Sequence, residues 1–112
     1  MSNGAAFAWR DALAQLPTPD GKRFVVVFGH GTLALELYAP RGEDRQKPHT
    51  RDELYVVVAG SGTFVCDGVR TPFERGDALF AAAGAMHRFE DFSDDLAVWV
   101  MFYGTEGGEA GD

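Results

Sequence analysis

A chain of 112 residues, 46% hydrophobic with 9 Phe and 2 Trp, is long enough to bury a core as one domain without disulfide staples. Its 17 acidic against 10 basic residues give a formal charge of -7, and no basic stripe is visible, which argues against a nucleic-acid partner. Cys66 is the single cysteine, so no intrachain disulfide is possible, and no stretch approaches the roughly 18 apolar residues of a membrane span.

The N-terminus, MSNGAAFAWRDALAQL, lacks a continuous apolar core of signal-peptide type, because Arg10 and Asp11 interrupt it. Together with a free thiol this points to a reducing cytoplasm. Trp9, Leu13 and Leu16 recur at helical spacing, which predicts a short helix over Trp9 to Leu16, ended by Pro17-Thr18-Pro19-Asp20-Gly21. Phe24 to Phe28 reads as a strand, with Gly29-His30-Gly31 as a tight turn after it. Thr32 to Tyr38 alternates, with Leu33, Leu35 and Leu37 on one face and Thr32, Ala34, Glu36 and Tyr38 on the other.

Pro40 to Pro48 is a charged loop without periodicity. Glu53 to Ala59 is apolar on both faces and needs cover on both. Gly60-Ser61-Gly62 reads as a hairpin turn into Thr63 to Cys66, and Asp67-Gly68 as another. Short strands follow at Val69 to Phe73, Ala78 to Ala82, Met86 to Phe92 and Leu96 to Tyr103. No βαβ alternation appears. About eight strands at turn spacing predict an all-β, antiparallel jelly roll, a double-stranded β-helix barrel with a short N-terminal helix. The expected divisions are an N-terminal helical segment over 1–22, the barrel over 23–104 and a flexible acidic tail over 105–112.

His49, Glu53 and His87 are the residues with metal-ligand chemistry. Imidazole and carboxylate are both ordinary ligands of divalent first-row ions, and two of them four residues apart meet one ion if the chain bends between them. A lone histidine in a β protein is more often a hydrogen-bonded core or surface residue, and His30 is read that way. No Gly-rich phosphate loop precedes a helix and no Gly-x-Ser-x-Gly elbow is present, so a nucleotide-binding or serine-hydrolase reading has no support.

KPHTRDELYVVVAG (Lys47–Gly60) and GDALFAAAGAMHRFED (Gly76–Asp91) resemble the paired motifs of the cupin superfamily, of the small single-domain type. His49 stands in the second-histidine position of the first motif, Glu53 in the glutamate position and Gly60 in the closing glycine position. Gly76, Gly84 and His87 match the second motif at its spacing. Lys47 replaces the first histidine, Ala82 the proline and Asp91 the asparagine, and Gly42 lies one position nearer than the usual leading glycine. The motifs cover about a quarter of the chain, and the strand count extends the likeness over most of it.

The resemblance implies a barrel holding a divalent metal, one of Fe, Mn, Zn or Ni, at His49, Glu53 and His87. It implies a small organic molecule as ligand and a two-fold homodimer sharing strands. With three protein ligands the ion keeps open positions, which suits oxygenase-type chemistry among dioxygenase, isomerase, epimerase, lyase and decarboxylase alternatives. The alternative is a non-catalytic small-molecule or sugar-binding cupin that has lost the full site, with Lys47 as its sign.

If Lys47 to Glu53 ran extended, Lys47, His49, Arg51, Glu53 and Tyr55 would share one face. Lys47 then either turns out to solvent, paired with Glu43 or Asp44, or helps bind an anionic substrate group. Tyr55, Lys47 and Arg51 are the catalytic candidates, Tyr55 having a core role as its alternative. Asp52 faces away and reads as structural or solvated. Phe64, Phe80, Phe89, Phe92, Trp99 and Phe102 are numerous enough to line an apolar cavity, most of them as core, and Cys66 reads as a small core or interface residue.

Overall fold

The computed structural model describes residues 3–109, which form one short helix and eight strands. In chain order these are α1 (Trp9–Leu13), β1 (Phe24–His30), β2 (Leu33–Tyr38), β3 (Asp52–Ala59), β4 (Ser61–Cys66), β5 (Val69–Glu74), β6 (Ala78–Ala81), β7 (His87–Glu90) and β8 (Ala97–Tyr103). They pair antiparallel into a five-stranded sheet, β1-β2-β8-β3-β6, and a three-stranded sheet, β5-β4-β7. This is the expected antiparallel jelly roll. The core lies between the sheets and draws Tyr55 and Val57 from β3, Val98 and Val100 from β8, and Phe64, Phe73 and Phe89 from the smaller sheet. Phe89 is its hub, with ring centroids 5.1 Å from Tyr55, 5.4 Å from Phe73 and 5.7 Å from Phe64.

Four expectations are corrected. The helix is shorter than Trp9 to Leu16, because its end tightens: Gln15 and Leu16 donate to Ala12 and Leu13, three residues back, just before Pro17. β1 continues through His30, whose ring stacks on Phe28, so the turn is at Gly31-Thr32 instead of Gly29-His30-Gly31. Gly60-Ser61-Gly62 is no hairpin. β3 and β4 are separated by Gly60 alone and belong to different sheets, so this glycine is the corner where the chain crosses between them. The hairpin at Asp67-Gly68 does form, with both residues at positive φ as a type I′ turn requires. Phe80 does not line the interior but points outward, half exposed, between buried Leu79 and Ala81.

The alternation in β2 is as read, and its polarity is set by α1. The helix packs on β2, and Trp99, which faces Leu37 across the ladder, shares a hollow with Ala12. The leucine face is therefore the outside of the sheet, and at Leu37, which is completely buried, it is covered by the N-terminal segment. Glu36 and Tyr38 consequently face the barrel interior. After β8 the chain folds back. Gly107 donates to the Thr50 carbonyl, and Asp52 accepts from the amides of Ala83 and Glu109 at 2.9 and 2.8 Å. Asp52 is thus buried and structural. Residues 110–112 of the expected acidic tail, and 1–2 of the N-terminal segment, lie outside the described residues.

Two predictions follow from these contacts. At Gly60, φ is +87°, and a Cβ would lie 2.6 Å from Ser93 Oγ and 2.8 Å from the Leu96 Cα. Gly60→Ala should destabilise the fold by roughly 1–3 kcal/mol, read as a lowered chemical-denaturation midpoint. The amides of Glu109 and Ala83 hold the Asp52 carboxyl below its ordinary 3.8. Such a depressed group stabilises above that value, and its contribution is lost as pH falls through the folded pKa. Asp52→Asn should therefore lower the melting temperature at pH 7, and its deficit against wild type should shrink below about pH 4.

Candidate metal centre

The alternation of β3 turns Glu53, Tyr55 and Val57 inward, with Glu53 at the open end of the barrel. His49 precedes the strand, and a bend at Thr50-Arg51 brings it back over Glu53 instead of continuing the extended run. Two main-chain bonds fix the bend: Gly84 donates to the His49 carbonyl at 2.8 Å and Gly107 to that of Thr50 at 2.7 Å. The first of these ties the two sequence motifs together. His87 opens β7 in the opposite sheet. The segment before it is held by Asp67, whose carboxylate accepts the Met86 amide at 3.0 Å.

The three side chains converge, with one ligand-type atom from each lying within 4.8 Å of the others. His49 Nδ1 is 3.5 Å from Glu53 Oε2, and His87 Nε2 is in close contact with Glu53 Oε1. His87 Nδ1 lies 2.9 Å from the Ala85 carbonyl. A neutral His87 donating there keeps its lone pair on Nε2, aimed at the cluster. His49 Nδ1, Glu53 Oε2 and His87 Nε2 are all buried and have no hydrogen-bond partner. Polar atoms buried without partners are costly, and three of them facing one point fit a shared cation.

Electrostatics agree with that donor set. Burial alone would raise the Glu53 carboxyl, but the His49 and His87 rings outweigh it and hold it at about 2. Burial pulls the His87 imidazole down, and Glu53 with the Ala85 carbonyl overturns this, leaving it above 6.5. The pull that Glu53 exerts on a His87 proton is the pull a divalent cation would feel at the same point. Tyr55 is buried, and its hydroxyl lies 2.9 Å from both Glu53 Oε1 and Gln46 Oε1. Burial and the Glu53 charge keep this phenol protonated.

Beside the cluster, and sharing His49 with it, opens a cavity of about 900 Å³, lined also by Phe102, Tyr38, Phe24 and Glu36 among others. Lys47 is exposed at its rim. Neither expected partner holds it: Glu43 pairs with Arg45 at 2.6 Å, and Asp44 turns inward to Tyr38, Gln46 and the Phe89 amide. Arg51 also lines the cavity, with Nη1 donating to the Thr32 carbonyl. Cys66 packs against the core, and burial raises its thiol. Phe64 and Phe89 are core, and Phe102 stacks near His49 at 4.8 Å.

Sequence reasoning missed Glu36. Burial pushes its carboxyl up to about 7, with His49 opposing and Glu53 adding to the shift. Its only signal was a lone charge on the face shared with Tyr38. The alternation placed three leucines on the opposite face and did not say which face would line the interior.

The chain is 41% identical over 72 residues to an uncharacterized protein of Streptomyces coelicolor, covering 62% of this chain and 69% of that one. A cupin-2 domain containing protein from Shewanella frigidimarina superposes with a TM-score of 0.69 at 13% identity, over 87% of this chain and 93% of that one. The DMSP lyase DddQ from Ruegeria pomeroyi superposes at 0.64 with 19% identity, over 88% of this chain and 55% of that one. At these identities the structural likeness shows the fold. The Cupin domain family matches residues 34–103, from β2 to the end of β8 and across all three clustered side chains, and the chain belongs to that family.

Proposed function

We propose that this cupin is a metal-dependent enzyme of oxygenase type. In this reading His49, Glu53 and His87 bind one divalent ion, one of Fe, Mn, Zn or Ni, and a small organic molecule is transformed in the adjoining cavity. The observation that carries the reading is the convergence of three buried ligand atoms without hydrogen-bond partners, one of them on His49, which also lines that cavity. Such an ion would supply Lewis acidity and the open coordination positions that two histidines and one carboxylate leave for oxygen or substrate. The Ala85 carbonyl orients the His87 ring, Tyr55 orients the Glu53 carboxylate, and Phe102 shields His49. Lys47, at the first-histidine position, supplies no fourth ligand. The lone thiol of Cys66 supports a cytoplasmic setting.

A second reading is favoured by that same Lys47: a non-catalytic barrel that binds a small molecule or sugar. Elemental analysis of protein purified without an affinity tag decides between them. Near-stoichiometric metal in the wild type, its absence from the His49→Ala/His87→Ala double variant, and oxygen uptake across a panel of small acids support the enzyme. No metal after reconstitution, with ligand affinity unchanged in His49→Ala, supports the binding module. Tyr55→Phe should weaken metal affinity roughly 10–100-fold, since it removes a hydrogen bond to a ligating carboxylate.

We also propose a two-fold homodimer. Leu35, Met101, Leu54 and Phe80 lie side by side in register across the outer face of the larger sheet, with Phe80 50% exposed. Sedimentation at micromolar concentration should give a dimer for the wild type and a monomer for Leu54→Asp/Phe80→Asp. A monomeric wild type removes the proposal.

A further inference from the structure

In a chain of formal charge -7, six of the ten lysines and arginines line the one cavity above His49: Lys22, Arg23, Arg41, Arg45, Lys47 and Arg51. They are not equivalent. Lys22 lies 3.5 Å from the Asp20 carboxylate, and Arg45 is paired with Glu43. Away from the cavity, Arg70 and Arg88 are likewise paired with carboxylates of Glu90 and Asp91.

Arg23 and Arg41 are held differently. Arg23 Nε donates to the Ala39 carbonyl at 2.8 Å. Arg41 Nη1 donates to the next carbonyl, Pro40, at 2.9 Å, and to Leu96 at 2.8 Å. Neutral carbonyls orient a guanidinium without cancelling its charge. Among the described residues neither arginine has a carboxylate within ion-pair distance. Both are held on consecutive carbonyls of one chain segment, and their unused N–H groups remain for a planar oxyanion. The two charges repel. Burial and the neighbouring Arg23 charge lower the Arg41 guanidinium, partly offset by Asp95 and Asp94. An anion between them would relieve that repulsion.

From this geometry we infer that Arg23 and Arg41 form an oxyanion clamp at the cavity mouth, which binds the carboxylate or phosphate group of a small-molecule ligand whose other end reaches the His49 side of the cavity. The inference deepens the proposed function by naming the ligand's chemical class. It predicts that uncharged sugars lack the group the clamp takes hold of. Glu36, on the same cavity wall, disfavours an anion placed deeper, which leaves the mouth as the anionic end.

The test is isothermal titration of the full chain, without added metal and at low ionic strength, with inorganic phosphate and with succinate. At least one anion should bind saturably to the wild type. Arg23→Gln and Arg41→Gln should each weaken binding at least tenfold. Arg75→Gln, outside the cavity, should leave it unchanged. A preference for phosphate assigns a phosphate ester, and a preference for succinate a carboxylate.

Circular dichroism checks that each variant folds. Where a glutamine variant does not, Arg→Lys at that position keeps the charge but loses the planar fork. Weakened binding there supports the clamp, and unchanged binding overturns it. The clamp is also overturned by no saturable binding to the wild type, by loss at only one arginine, or by equal loss in Arg75→Gln. Because no metal is added, failure of the metal reading would leave this result intact.

Discussion

Burying the carboxylate of Glu53 is the constraint on which the site depends. Its side chain is 1% exposed, at the end of an apolar strand, and a charge taken out of water that far must be compensated by its neighbours. The compensation comes from three directions. His49 arrives from the loop before β3, His87 from the opposite sheet and the Tyr55 hydroxyl from the next inward position of the same strand. Each partner is itself anchored: the His49 main chain by Gly84, His87 by the Ala85 carbonyl, and Tyr55 by Gln46. The two sheets are therefore joined at their open end by polar contacts around one carboxylate, and in the middle by the aromatic packing around Phe89.

The charged loop from Pro40 to Pro48, which has no periodicity in the sequence, belongs to this arrangement. Asp44 reaches inward and accepts from the Tyr38 hydroxyl, from Gln46 through its main-chain and side-chain nitrogens, and from the Phe89 amide. The Phe89 amide belongs to β7, so the loop is fastened to the smaller sheet. Gln46 is thereby set to meet Tyr55. A chain of hydrogen bonds runs from a sheet amide to the buried carboxylate, and its members fix one another's orientation.

Charge is distributed with the same economy of position. A net-negative protein gathers most of its cations around one cavity, while the cavity wall nearer the cluster carries Glu36. Arginines held on main-chain carbonyls keep their charge available, whereas Arg45, Arg70 and Arg88 are paired with carboxylates. The resulting field runs from a basic mouth to an acidic, histidine-rich interior. A ligand with one anionic end and one metal-binding end would be oriented by that field before any close contact forms.

Alternation and turn chemistry made the all-β architecture legible from the sequence, and the spacing of His49, Glu53 and His87 made the cluster legible, because these are properties of residues near one another along the chain. The Asp67-Gly68 turn is the clearest case, since both residues tolerate the positive φ that a tight hairpin demands. What tertiary structure alone decided was which side of each element became the interior. Gly60 looked like a hairpin glycine, yet the sheet into which β4 packs made it a corner. The alternation of β2 left open which face is the interior, and packing of α1 on the strand decides it, so that Glu36 and Tyr38 line the cavity. No local pattern joins Arg23 to Arg41, and only the course of the chain past Ala39 and Pro40 brings them to one cavity. Local pattern specifies the period of an element, whereas the choice of buried face depends on partners distant in sequence.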